Sequence, residues 1–154
     1  MAIYSMNISM VKRSLGRNAV ATSAYNSRSK LKLYFKNVKT GGKRQGRGYK
    51  IYDYRKRKGL TFSKIIAPEN APEWVYDREV LWNKCEEVEL RHNSQTARKI
   101  MLALPIELSK EQNHQLIEEF SRKYLLTKGM VVDINVHYDN PGNPQEACKN
   151  NFNI

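Results

Sequence analysis

Cysteine is scarce in this chain. Its 154 residues include two, Cys85 and Cys148, far apart and in no CxxC pair. That argues against a disulfide framework and a structural zinc site, and makes a reducing cytoplasm the expected compartment. Long apolar runs are missing as well. No stretch approaches the roughly 18 residues that cross a bilayer, so no membrane segment is expected. Residues 1–11 lack the charged region and cleavage site of a signal peptide. Acids are the third shortage. Asp plus Glu number 15 against 27 Lys plus Arg, a formal net charge of +12. Such an excess points to a polyanionic partner, nucleic acid ahead of an anionic membrane. Histidines are few, and no HxH, HxxxH or paired-carboxylate spacing occurs. What remains is 40% hydrophobic residues, enough for the core of one ordinary domain.

The patterns that are present alternate between strand and helix. Ala2, Tyr4, Met6, Ile8 and Met10 share one face of a strand over 2–11, which predicts that face to be buried. Asn18 is placed to cap a helix from Ala19 to Leu31. Residues 60–66 read as a short strand ended by Pro68. After the punctuation PENAP, Asn70 can cap a second helix with Pro72 in its first turn and Val80, Leu81, Cys85 and Val88 as its apolar stripe. Residues 97–104 predict another strand. Ser109 with Gln112 forms a capping box, opening a helix whose inner face is Leu116, Ile117, Phe120 and Tyr124, with Gly129 as its stop. In the final strand, 130–138, Met130, Val132, Ile134 and Val136 point one way and Asp133, Asn135 and His137 the other. The order predicts an α+β domain with helices packed on a largely antiparallel sheet.

Between the first helix and the second strand lies a basic insert, 36–58. Its glycine-rich first half predicts a flexible loop holding Lys43, Arg44 and Arg47. Its second half interleaves Tyr49, Tyr52 and Tyr54 with Lys50, Arg55, Lys56 and Arg57. Cations neutralise phosphates, and tyrosine rings stack on unpaired bases at about 1–3 kcal/mol each. Arg17 and Arg28 extend the basic set. Tyr25 falls within the first helix, with Arg28 and Ser29 three and four residues on. A phenol titrating near 10 is a poor nucleophile unless something stabilises its anion, and spacing alone favours a packing tyrosine. By the same standard, a lone His137 is more often structural or exposed than a ligand, and His92 and His114 read as surface residues.

Taken in order, the segments are more specific. MAIYSMNISMVKR, GRNAVATSAYNSRSKL, YDYRKRKGLTFSKIIAPENAPEWVYDREVLWNKCEEVELR, ARKIMLALPIELSKEQ and GMVVDINVHYDNPGNP together closely resemble the N-terminal relaxase domain of the MobA/MobL family, as in TraA-type transfer proteins. The resemblance covers residues 1–144. It implies a histidine-hydrophobe-histidine endonuclease fold, an antiparallel sheet with helices on one side. It also implies an enzyme of plasmid mobilisation that nicks single-stranded DNA at a transfer origin. A tyrosine, matched here by Tyr25, would become joined to the 5′ phosphate. A divalent metal, Mg or Mn, would be held by three histidines, of which His137 matches the first. Partners would be origin DNA and other transfer proteins, around a cytoplasmic monomer.

The chain departs from that pattern after residue 144. Gln145 and Ala147 stand where the other two histidines belong, and an acidic residue before the Ala-Leu-Pro segment is absent, with Lys99 and Met101 flanking its place. Residues 145–154 read as a divergent polar tail without a strand pattern, so the metal-site strand is expected to be missing or altered. A gap in the sheet and a truncated or frame-shifted product are the matching expectations. The reading is therefore a transfer-origin nickase with impaired activity. Its alternatives are a catalytically dead DNA-binding remnant or a basic RNA-binding protein.

Overall fold

The computed structural model describes residues 5–35, 48–89 and 91–138 in full, and the backbone alone at 39–40, 43–44 and 149–153. The first strand, β1 (Met6–Lys12), runs into a 3-10 turn at Arg13–Leu15. Asn18 then caps α1 (Ala19–Asn26), its side chain accepting from the Ala21 N–H. The helix ends short of Leu31. Arg28 turns into the left-handed region at φ 49°, and Leu31 belongs to β2 (Lys30–Phe35). Leu31 and Leu33 are buried while Lys30 and Tyr34 are exposed, a period of two rather than of helix.

Within the basic insert lie β3 (Lys39–Thr40), β4 (Lys43–Arg44) and β5 (Gly48–Asp53). The first two pair with each other, where a loop was expected, and β5 pairs antiparallel with β2 as a ribbon. Next come β6 (Leu60–Ile66) and, after a 3-10 turn at Glu73–Tyr76, α2 (Arg78–Val88). Asp77 caps α2 in place of Asn70, accepting from the Val80 N–H. β7 (Gln95–Ala103) leads to α3 (Lys110–Tyr124), which opens with the expected Ser109–Gln112 capping box. Gly129, at φ 75°, closes the turn after α3 and admits β8 (Val132–His137). The last strand is β9 (Lys149–Asn153).

Five strands form one antiparallel sheet in the order β1-β7-β9-β8-β6. The expected gap is therefore filled. β9 lies between β7 and β8, with Asn153 opposite Lys99 and Lys149 opposite His137. Its polar sequence hides it, because two flanking ladders can order a strand that no apolar alternation announces.

Helices cover both faces of this sheet, not one. Val132, Ile134 and Val136 pack with Ile66, Ile100, Leu104 and Ile117 beneath α3. Asp133, on the opposite face of β8, meets Ser23 of α1 and Trp82 of α2. All six residues of β8 are consequently buried. Several expected inner faces shift. Met6 and Ile8 are exposed on edge strand β1, outside the cluster under α3. On α2, Leu81 and Trp82 are buried while Val80 and Val88 are exposed. On α3, Ile117 is buried between Asn113 and Ser121, while Leu116 and Tyr124 are exposed. Asn113 and Ser121 tolerate burial because each donates to a backbone carbonyl, of Pro105 and Ile117 respectively.

Candidate active site

Burying a carboxylate is costly unless donors surround it. Asp133 has no exposed surface and is so surrounded. Arg78 forks onto it from α2, with Nη2 at 2.8 Å and Nε at 3.0 Å. Ser23 Oγ donates at 2.7 Å, Trp82 Nε1 at 3.0 Å and Asn135 Nδ2 at 3.0 Å. Arg78 also donates to Ser63 Oγ, which in turn donates to Asn135 Oδ1 at 2.7 Å. One network thus ties α1, α2 and β6 to β8. A second pin holds the start of α1, where Glu86 of α2 accepts from the Ala19 N–H at 2.6 Å and from Arg13 Nε at 3.0 Å.

These pins fix the helix that carries Tyr25, two residues beyond Ser23. The Tyr25 side chain meets cations on several sides. Arg57 Nη1 donates to its phenolic oxygen at 3.2 Å, and the Arg57 guanidinium lies 4.8 Å from the ring centre. Arg28 lies 4.7 Å from the same ring, folded back as its Nη1 donates to the Tyr25 carbonyl. Tyr54 meets the ring edge-on at 5.3 Å. The expected neighbour Ser29 instead pairs its hydroxyl with Ser27.

Arg57 reaches Tyr25 from a turn that starts at β5. Arg55 clamps Asp53 with both nitrogens and holds its carboxyl down at about 2. The Arg57 N–H closes the turn onto the Tyr54 carbonyl. Residues 53–57 line a cleft of about 700 Å³ beside the tyrosine. From the sheet side comes Lys99 of β7. Burial lowers its pKa below the ordinary lysine value; Tyr25 opposes that shift, while Arg17 and Arg28 add to it. Arg28 and Arg57, from separate parts of the fold, therefore flank one phenol.

His137 ends β8 on the face that carries Asp133 and Asn135, and is 1% exposed. Of the two readings open from the sequence, structural or exposed, it is the buried one. Gln145 and Ala147 lie outside the described residues, as does Arg47. Among the described residues, no three His, Cys, Asp or Glu side chains are grouped to hold a metal ion. His114 is not the surface residue expected. It stacks on Phe62 at 4.5 Å, and burial lowers its pKa.

The remaining nucleic-acid candidates divide. Arg55 and Lys56 are exposed beside the cleft. For Lys43 and Arg44 the backbone alone is described. Lys50 lies over the Tyr52 ring at 5.1 Å, but Tyr52 itself accepts from Asn18 Nδ2 and so ties the ribbon to α1. Tyr34, not singled out from the sequence, joins Tyr49 on the ribbon's outer face. Tyr34 and Tyr49 are exposed, opposite each other across the strands, with ring centres 6.4 Å apart, and Lys32 lies 5.3 Å from Tyr49. Alternation of Lys32, Tyr34, Tyr49 and Ile51 was the signal, readable once the two strands are known to pair.

A family model described as the MobA/MobL family matches residues 17–146. Conjugal transfer protein TraA of Rhizobium radiobacter is 38% identical over 94% of this chain, and the chain spans 13% of that relative's length. Probable mobilization protein MobA of Bifidobacterium longum is 31% identical over 96% of this chain and 24% of its own. The fold also aligns, with a TM-score of 0.79 and 34% identity, to a solved structure reported for the molecular basis of vancomycin resistance transfer in Staphylococcus aureus. That alignment covers 99% of this chain and 69% of the other. With an antiparallel sheet, flanking helices and similarity along nearly its whole length, this chain belongs to the MobA/MobL family of relaxases.

Proposed function

We propose that the chain acts in plasmid mobilisation by binding single-stranded DNA at a transfer origin and presenting Tyr25 to one of its phosphodiesters. The observation that carries this reading is the convergence of Arg28 and Arg57 on Tyr25 beside the cleft at 53–57. The exposed Tyr34–Tyr49 pair offers stacking surfaces to unpaired bases. The names of the relatives, which speak of conjugal transfer and mobilization, support the same role.

The reaction would be a transesterification. The Tyr25 oxygen forms a bond to phosphorus and loses its proton. The bond from phosphorus to the 3′ oxygen breaks, and that oxygen leaves as a hydroxyl after taking up a proton. The reverse reaction reseals the strand. Asp133, through Ser23, keeps Tyr25's helix in register with the sheet.

The divalent metal that the resemblance implies does not fit the donors present. His137 supplies one imidazole, Gln145 offers a weak neutral oxygen and Ala147 offers no donor at all. Nicking that depends on a three-histidine metal site is therefore strongly impaired in this chain, and no step is assigned to a metal.

Binding can be separated from chemistry. Fluorescence anisotropy with a single-stranded origin oligonucleotide and a structured RNA of equal length, at matched salt, is the test. The expected result is tighter DNA binding whose logarithm falls with log salt by about 0.7 per phosphate contacted. A clear preference for the RNA would contradict the proposal and favour the RNA-binding alternative.

A further inference from the structure

An isolated two-stranded ribbon is marginal in water, and its free edges leave backbone groups unpaired. The β2–β5 ribbon is not left so. β5 pairs with one edge of β2, and side chains of α2 meet the other. The Lys32 N–H donates to Glu79 Oε2 at 2.8 Å, and the Lys32 carbonyl accepts from Asn83 Nδ2 at 2.7 Å. The Tyr34 N–H donates to Asn83 Oδ1 at 2.9 Å. Glu79 and Asn83 lie one helical turn apart and so face β2 together. Arg78, the residue before Glu79, forks onto Asp133, which Ser23 joins from Tyr25's helix. The ribbon is thereby fixed to the same frame as Tyr25.

Glu79 does more than seal the edge. Its Oε1 accepts from the Tyr34 hydroxyl at 2.9 Å, so that residue is tied at both ends, by Asn83 at its backbone and by Glu79 at its tip. Chiefly through that bond, Glu79 lifts the Tyr34 phenol above its ordinary pKa, and the hydroxyl stays protonated and donating at neutral pH. Charge makes the arrangement unusual. Lys32 lies 5.3 Å from the Tyr49 ring, as suits a surface for phosphates. A carboxylate in the same face repels the DNA backbone. Its bonds supply a reason for its place, since a ring already held loses little freedom when a base stacks on it.

Resting on the reading of the ribbon as a base-stacking face, we propose that Glu79 is a positioning residue for single-stranded DNA. It touches no DNA itself. It holds the Tyr34 ring beside Tyr49, in a fixed relation to Tyr25's helix, so that unpaired bases meet an ordered surface. This pre-organisation outweighs the repulsion that the glutamate's charge brings.

The test is fluorescence anisotropy with the whole chain and a labelled thymidine oligonucleotide, at low and at high salt. Glu79→Ala deletes the charge and both bonds. It is expected to weaken binding about fivefold, although it removes a negative charge from the DNA face. Glu79→Gln keeps the shape and can still bond to Lys32 and Tyr34 without the charge. It is expected to recover the loss or to bind more tightly than the unaltered chain, most of all at low salt. A charge acting alone would make both variants bind more tightly. A merely structural glutamate would lower the melting temperature without weakening binding by the folded chain. Tyr34→Phe keeps the ring and loses the hydroxyl, so it should weaken binding too, and Glu79→Ala should then add less than it does alone. Glu79→Ala binding as tightly as the unaltered chain, Glu79→Gln binding no better than Glu79→Ala, or unchanged binding by Tyr34→Phe would each overturn the proposal. Should Glu79→Ala fail to fold, Tyr34→Phe decides alone. If Tyr49→Ala also leaves binding unchanged, the stacking reading beneath the proposal falls; if Tyr49→Ala weakens binding, only the role of Glu79 does.

Discussion

At Asp133 a negative charge with no exposed surface is met by one guanidinium, a hydroxyl, an indole N–H and an amide. Removing the carboxylate strands Arg78 in a half-buried place. Asp133→Ala is expected to cost about 3–5 kcal/mol, and Ser23→Ala about 1 kcal/mol, in urea unfolding. A loss under 1 kcal/mol for Asp133→Ala would mean that the network is not structural. The sequence reading put Asp133, Asn135 and His137 on one polar face, which is correct, but could not tell that the face is buried. Its covers, Ser23 and Trp82, are 110 and 51 residues away from Asp133. His114 makes a different prediction. Its folded-state pKa lies below the ordinary 6.5, chiefly through burial. Stability is thus complete above the unfolded value and is lost as pH falls through the folded one, because the unfolded chain takes up the proton first. Melting temperature should drop on acidification from pH about 7 to about 5, and His114→Gln should flatten that drop. An unchanged slope in the variant would assign the acid sensitivity elsewhere.

Elements whose signals are local were legible. The Ser109–Gln112 box and the Asn18 cap were readable because capping joins residues three apart. The ribbon was not legible, since Leu31 reads as the end of a helix until β5 pairs with β2 and imposes a period of two. β9 was least legible of all, because its place depends on β7 and β8 on either side. The ribbon gives the element-scale prediction. Tyr49 is exposed and contacts only Tyr34 and Lys32 among the rings and cations described. Tyr49→Ala is expected to leave melting unchanged and to weaken single-stranded DNA binding by about 1–3 kcal/mol in anisotropy. Unchanged affinity would remove the ribbon from the interface.

For the molecule as a whole, +12 is the sum of two arrangements that composition cannot separate. Some cations are committed to structure, as Arg78 is to Asp133 and Arg13 to Glu86. Others gather at Tyr25 or along the ribbon and are available to phosphates. The role given to Tyr25 came from the family resemblance, while the helix that carries it was readable from its pattern and its Asn18 cap. The cations facing it were not, since Arg57 is 32 residues from Tyr25 in the chain and arrives through the turn at 53–57. No helix among the described residues is long and apolar enough to cross a membrane. On the proposed reading, this relaxase-family domain presents Tyr25 to DNA while Gln145 and Ala147 leave metal-assisted nicking without its donors. Conversion of a supercoiled plasmid carrying the cognate origin to its nicked form, in Mg²⁺ or Mn²⁺, measures this directly. DNA binding with little nicking above the rate in EDTA is expected. Efficient metal-dependent nicking that disappears in Tyr25→Phe would contradict it.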